Sequence, residues 1–236
     1  MKFDFAYVRR IRIRSILPAQ FLYEDGEIMT VSKEIPFTRN GISTEKEQRI
    51  RSAVRGAESL PTDNAMSRIA VKEDAELFHE FLSDPQISAP IYTLPRPLTV
   101  DALEHFIAKH AEEQSKGEGL LFLNFNSEGE IGGYQDICIW PRWAAGELGG
   151  AVHPDRQGKR KGIEGAKLGF DWMFNILGLD LICETASLNN HRTARLLDGL
   201  GFKRMGETLS QRDDGTTRAS LVWEISKEQW CRKHGD

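Results

Sequence analysis

The stretch Val152-His153-Pro154-Asp155-Arg156-Gln157-Gly158-Lys159-Arg160-Lys161-Gly162-Ile163-Glu164 decides how this chain is read. Ahead of it, Leu148 to Val152 reads as a strand interrupted by Gly149-Gly150, and glycine inside a strand marks a bulge or a close backbone approach. Behind it, Ile163, Ala166, Phe170, Met173, Phe174 and Leu177 recur at helical spacing until Gly178 stops the helix. The stretch is therefore a tight loop between a strand and a helix. The first amides of a helix have no intrahelical partner, and the helix dipole adds partial positive charge there. Such a junction suits an anion. Gly158 and Gly162 let the backbone approach a ligand without a Cβ in the way, and Lys159, Arg160 and Lys161 add full charges. The loop has neither the GxxxxGK[ST] string of a nucleotide P-loop nor the GxGxxG of a dinucleotide fold. Taken alone, these residues also fit a solvated basic turn.

Around this loop the chain alternates strand and helix from about residue 63 onward. Ser67 to Lys72 reads as a short strand, and Ala75 to Leu82 as a helix ended by Asp84-Pro85. Thr99 can cap a further helix with Leu103, Phe106, Ile107 and Ala111 on one face. Strands follow over Leu120–Phe125, Ile131–Trp140 and, past the loop and its helix, Leu179–Thr185. A short helix carries Thr193, Leu196, Leu197 and Leu200 and stops at Gly201. A hairpin spans about Thr208 to Ile225, turning at Asp214-Gly215. The expectation is an α/β chain of the α+β type, with a mixed sheet flanked by helices. Pro61-Thr62-Asp63-Asn64 marks a break, so residues 1–62 read as an irregular extension and 63–236 as the main domain.

Bulk properties narrow the class. The chain has 236 residues, 40% hydrophobic and 28% charged, which suits one globular domain with an extension. A net charge of −4 gives no general case for nucleic acid. Cys138, Cys183 and Cys231 lie far apart, which supports neither a disulfide framework nor a metal site. No apolar run approaches the ~18–20 residues of a membrane span, and no signal-peptide pattern opens the chain. A cytoplasmic setting is expected.

The decisive stretch resembles the acetyl-coenzyme A loop of Gcn5-related N-acetyltransferases (GNAT), written Q/R-x-x-G-x-G/A. Gln157 stands at its first position and Gly162 at its last, while Arg160 replaces the middle glycine. Asn190-His191-Arg192-Thr193, followed by Leu196-Leu197 and Leu200-Gly201-Phe202, resembles the N-x-x-S…L-G-F signature of the subgroup of ribosomal-protein-alanine N-acetyltransferases. Glu147-Leu148-Gly149-Gly150-Ala151-Val152 is similar to the strand before the loop. Trp223-Glu224-Ile225 with Lys227-Glu228-Gln229-Trp230 is similar to the subgroup's last elements. The resemblance covers roughly Ser67 to Trp230.

The resemblance implies a mostly antiparallel sheet split between its fourth and fifth strands, with coenzyme A in the split. Ala151 and Val152 would bond the pantetheine arm as an added strand does. Gln157, Gly158, Lys159, Arg160, Lys161 and Gly162 would hold the pyrophosphate. Asn190 would reach the pantetheine from the other side, although asparagine also suits a helix N-cap. Thr193 stands where the subgroup has its hydroxyl, so it is the candidate to hydrogen-bond the departing sulfur, or else a hydroxyl bonded to the previous helical turn. The tyrosine found in many GNAT enzymes seven residues after the asparagine is Leu197 here. The Val152 N–H is the candidate oxyanion donor. Glu147, with Asp136 second, is the candidate general base, against the commoner role of a surface carboxylate. Glu164 suits dipole stabilisation, and His153 reads as structural. The implied activity is direct transfer of an acetyl group from acetyl-CoA to a primary amine, without a metal.

The alternative reading is a GNAT fold retained as a coenzyme A sensor or adaptor, which Arg160 and Leu197 favour. Within residues 1–62, Ile11 and Ile13 alternate with Arg10, Arg12 and Arg14, and Arg49, Arg51 and Arg55 form a second basic cluster. A dock for RNA or a ribosome would explain them, as would an edge strand kept soluble by arginine or a flap over the acceptor site. The sequence distinguishes neither the acceptor, a protein amino terminus or a small amine, nor a monomer from a homodimer.

Overall fold

A computed structural model describes residues 20–22, 28–30, 34–62, 66–153, 161–212 and 215–235. Two three-residue strands, β1 (Gln20–Leu22) and β2 (Ile28–Thr30), pair antiparallel ahead of the main body. The seven remaining strands are β3 (Met66–Ile69), β4 (Gly119–Phe125), β5 (Ile131–Trp140), β6 (Ala145–Val152), β7 (Leu181–Ser187), β8 (Lys203–Gln211) and β9 (Thr217–Ser226). They form one sheet in the order β3-β4-β5-β6-β7-β9-β8. Every neighbouring pair is antiparallel except β6 and β7, the fourth and fifth strands of this sheet. The expected mixed, mostly antiparallel sheet is thus present.

Both faces of the sheet are covered, which explains the unbroken apolar run Leu120 to Phe125. All seven residues of β4 are buried, because a strand with two covered faces has no solvent side to alternate toward. Leu120 and Phe122 point into one core with Ile137, Ile139 and Ile182. Helix α5 (Lys161–Asn175) supplies Phe170, Met173 and Phe174 to that core, α6 (His191–Leu200) supplies Leu197 and Leu200, and α7 (Lys227–His234) supplies Trp230. Leu121 and Leu123 point into a second core with Tyr134 and with helices α2 (Ala75–Leu82), α3 (Pro85–Ser88) and α4 (Val100–Lys116). Helix α5 lies hard against β6: a Cβ at Gly169 would stand 2.8 Å from the Leu148 side chain.

The segment before residue 62, expected to be irregular, contains helix α1 (Thr44–Arg55). Ser43 caps it by accepting from the Lys46 amide. Its apolar pair Ile50 and Val54, at i and i+4, is fully buried in the first core, where Leu60 joins it. Few apolar positions mark this helix, and two suffice once the rest of the core is present. Strand β6 also begins three residues earlier than expected. Pro141–Trp143 makes a 3-10 turn that returns the chain beside Trp140, so Ala145 already pairs with it. Strand β7 starts two residues later than expected, at Leu181. The basic strand expected at Arg10 to Arg14 lies outside the described residues.

Candidate active site

The site arises where β6 and β7 part. Their pairing consists of Ala145 with Leu181 and Gly146 with Ile182. Past that point β6 keeps its other neighbour, β5, as far as Val152 opposite Gly133. Strand β7 keeps β9 as far as Ser187 opposite Ser220. The two strands run parallel, so the gap opens toward both carboxyl ends. Helix α5 begins beyond the end of β6, and α6 begins beyond the end of β7. Two helix amino termini therefore flank the mouth of one split, each contributing partial positive charge.

Side chains occupy the narrow end. The Leu148 N–H donates to Glu184 Oε1 at 2.9 Å, and Thr185 Oγ1 donates to Glu147 Oε1 at 2.6 Å. The pairing register places Glu147, Thr185 and Asp136 on the face that carries α4, and Leu148 and Glu184 on the face that carries α5. Beyond them come Gly149 and Gly150. Gly150 has φ 136°, and a Cβ there would lie 2.2 Å from the Tyr134 carbonyl oxygen. The glycine pair thus answers to a close backbone approach, as glycine within a strand suggests.

Some of the residues singled out from sequence lie on the elements that border this split. Glu147, Ala151 and Val152 lie along β6. Gly162 stands in the first turn of α5 with open space where a Cβ would project. Lys161 opens the same helix, and Glu164 sits in its first turn. Gln157, Gly158, Lys159 and Arg160 lie outside the described residues. Asn190 is the N-cap of α6, and its side-chain oxygen accepts from the Thr193 N–H at 3.1 Å. Thr193, half-buried, follows in the first turn. Leu197, at the position where many relatives carry tyrosine, is buried in the core. Val152 is 41% exposed, unlike most of the sheet. His153 donates its backbone N–H to Gly132 and lies beside Phe81.

Charge is concentrated at the narrow end. Burial pushes the Glu147 carboxyl up to about 7, against the hydrogen bond from Thr185 and with the charge of Asp136. Burial, and then the charge of Glu147, hold Glu184 well above the usual carboxylate range. The two carboxyls share protons as a pair, and the more enclosed Glu184 retains its proton to higher pH. Asp136 accepts from His110 Nε2 at 3.0 Å, while His110 Nδ1 meets the Phe106 carbonyl at 2.8 Å. Burial opposes charge on His110, but the hydrogen bond and charge of Asp136 outweigh it and raise the pKa.

Sequence reasoning missed Glu184, His110 and the loop between α3 and α4. Glu184 had a signal: it is the one charged residue of β7, beside the apolar Leu181, Ile182 and Cys183, and a buried carboxyl needs a reason. The loop had none, because its residues meet the site only through tertiary folding. Thr93 Oγ1 reaches Asp136 Oδ2 at 3.5 Å, and the Tyr92 carbonyl accepts from Arg212 Nε at 2.8 Å. Two adjacent residues thus touch β5 on one side of the split and the β8–β9 hairpin on the other.

The acetyltransferase (GNAT) domain family matches residues 67–203, more than half of the chain. The chain belongs to the GNAT acetyltransferase family. It is an acetyl-CoA-dependent N-acetyltransferase, and the open β6–β7 split with two helix amino termini at its mouth fits that co-substrate. The ribosomal-protein-S5-alanine acetyltransferase from Vibrio fischeri is similar in fold, with TM-score 0.59 and 18% identity over 74% of this chain and 99% of that one. Mycobacterium smegmatis RimJ in complex with CoA-disulfide gives TM-score 0.57 and 20% identity over 70% and 82%. The spermidine N-acetyltransferase from Vibrio cholerae in complex with CoA and spermine gives 0.58 and 18% over 71% and 98%. The curated proteins contain no match. Among the described residues, no helix is long and apolar enough to cross a membrane. No group of three or more His, Cys, Asp or Glu among them is placed to hold a metal ion.

Proposed function

We propose that this GNAT enzyme transfers the acetyl group directly from acetyl-CoA to a primary amine held on the α4 face of the β6–β7 split. The observation that carries this reading is the position of Glu147. It stands at the point where the two strands separate, and burial brings its pKa to about 7. A base with its pKa near neutral pH can accept a proton from an alkylammonium and release it again between turnovers.

In this reading the pantetheine arm lies along Ala151 and Val152, and Asn190 bonds it from the α6 side. The amino-terminal turn of α5, with Lys161 and Gly162, and the preceding residues Gln157, Gly158, Lys159 and Arg160 take the pyrophosphate. The amine passes a proton to Glu147 and attacks the thioester carbonyl. The new N–C bond forms as the carbonyl oxygen takes negative charge, which the Val152 N–H stabilises. The C–S bond then breaks, the nitrogen's surplus proton passes to the departing thiolate, which the Thr193 hydroxyl hydrogen-bonds, and the amide and coenzyme A thiol leave. Holding both reactants in one cleft supplies an orientation advantage of ~7–11 kcal/mol.

The test is calorimetry with acetyl-CoA followed by thiol release across a panel of amines. Binding in the micromolar range with turnover of at least one amine supports the proposal. Tight binding without turnover of any amine favours a coenzyme A sensor, for which the buried Leu197 speaks. Absence of any binding heat removes both.

A further inference from the structure

The acceptor side of the split has an unusual wall. Tyr92 stands between two guanidiniums, with the Arg212 carbon 4.1 Å and the Arg218 carbon 4.4 Å from its ring centroid. Arg212 is anchored through Nε to the Tyr92 carbonyl. Arg218 is not anchored in this way. Its Nε is buried and has no hydrogen-bond partner, and among the described residues its guanidinium forms no ion pair. Burial lowers its pKa, and the second arginine lowers it further, so the charge is held at a cost. Two cations stacked on one ring are sustained by cation–π attraction, but that attraction leaves the Arg218 Nε donor without a partner.

Arg218 lies on the same face of the sheet as Glu147 and Asp136. Arg218 precedes Ser220 and Val222 on the α4 side of β9, and Val222 pairs with Thr185, which donates to Glu147. The Glu147 charge acts on Arg218. On the opposite side, Thr93 touches Asp136. The loop thus joins negative groups at one end to two guanidiniums, one with an unpaired Nε, at the other. A ligand complementary to both ends is itself bipolar.

We propose that the acceptor is an amine bearing a carboxylate, with its nitrogen directed to Glu147 and its carboxylate received by Arg218 and Arg212. This rests on the acetyl-transfer reading above and names its substrate class. A planar guanidinium pairs with a carboxylate through two parallel N–H···O bonds, which supplies the partner that the buried Nε lacks. A polyamine fits poorly, because its second ammonium meets two arginines. The carboxylate has two sources: a free amino acid, or an acidic side chain next to the amino terminus of a peptide.

The experiment pairs each acceptor with its uncharged twin. Free amino acids are compared with their carboxamides, and short peptides carrying Glu at the second position with the same peptides carrying Gln. Thiol release gives kcat and KM, and calorimetry on the protein with and without coenzyme A gives binding. The carboxylate member is expected to be preferred about ten- to a hundred-fold, the range of a charge-assisted hydrogen bond. The arm that shows the preference identifies the source. Arg218→Gln is expected to raise KM for the carboxylate member and to remove most of the preference over its uncharged twin. Arg218→Lys is expected to keep part of the preference. Equal use of both members by the unaltered protein overturns the proposal, as does spermidine outcompeting every anionic amine. Failure to bind acetyl-CoA overturns the transfer reading instead, and calorimetry of the acceptor pairs still decides this one.

Discussion

Glu147 and Thr185 meet at 2.6 Å across two strands whose backbones have already stopped pairing. The contact fixes the Glu147 carboxyl at the apex of the split, facing the α4 side. Glu147→Gln keeps the shape and an acceptor oxygen but removes the base. Turnover is expected to fall about 10²–10⁴-fold, the usual contribution of a positioned base. The dissociation constant for acetyl-CoA should change little. A variant that retains more than half of the wild-type kcat on the same amine would remove Glu147 from the reaction.

The pH profile follows from the same carboxyl. With its pKa at about 7, the ionised form is the minor species below that value. The acceptor kcat/KM should therefore rise about tenfold per pH unit below 7 and level off above it. Asp136→Asn removes a neighbouring negative charge that raises the Glu147 pKa, and should shift the midpoint downward. An unchanged midpoint in that variant counts against this contribution.

Stability carries the opposite signature. A carboxyl whose folded pKa lies above its unfolded value binds a proton more readily in the folded state. Its contribution is present at low pH and is lost as pH rises through the folded value. For Glu147 the window runs from 4.5 to about 7, and Glu184 adds the same sign. The melting temperature of the wild-type protein should fall as pH rises across that window. Glu184→Gln should flatten the decline, since the amide oxygen can still accept from Leu148. Thermal melts at a series of pH values decide this, and identical slopes for both proteins refute it.

Gly150→Ala tests the glycine pair. The residue sits at φ 136°, and the new methyl would lie 2.2 Å from the Tyr134 carbonyl oxygen. Neither partner is a flexible side-chain end, so backbone must move. Strain of this kind costs on the order of 1–3 kcal/mol, and the displaced segment is the one proposed to hold pantetheine. Chemical denaturation should show the loss, and calorimetry should show weaker acetyl-CoA binding. Gly129→Ala, at a glycine with open space around its Cβ position, is a control for the effect of φ alone.

These residues show where the sequence is transparent. The junction at Val152 was readable because its physics is local: a strand, two glycines and a helix start lie side by side in the chain. The cap at Asn190 was readable for the same reason. The Asp136–His110 pair was not, because 26 residues separate them and only the packing of α4 on β5 joins them. The Tyr92 stack was hidden in the same way, since both arginines come from a hairpin more than a hundred residues later. Glu184 lies between the two cases. Its place after the apolar run Leu181-Ile182-Cys183 was visible, but its bond to Leu148 depends on the strands having parted.

Helix α1 supplies the last prediction, because it was read as part of an irregular extension and is instead embedded in the core. Ile50 and Val54 are fully buried there. Arg51 bridges Glu47 and Glu118, each at 2.9 Å, and donates to the Lys116 carbonyl at 2.7 Å. The second basic cluster is thus partly spent on attaching α1 to the end of α4. Farther back, the Phe37 and Thr38 amides donate to the buried Glu224 on β9. Removing residues 1–62 would strip the buried side chains Ile50, Val54 and Leu60, with the partly buried Ile42, Ala53 and Ala57, from the first core and leave the Glu224 carboxylate without those donors. Ile50→Ala alone should cost about 2–5 kcal/mol by the transfer and cavity terms of a buried aliphatic residue. The shortened chain should be far less stable than that variant. Equal unfolding midpoints for the full and shortened chains would show that α1 contributes nothing to the core, and that residues 63–236 stand alone.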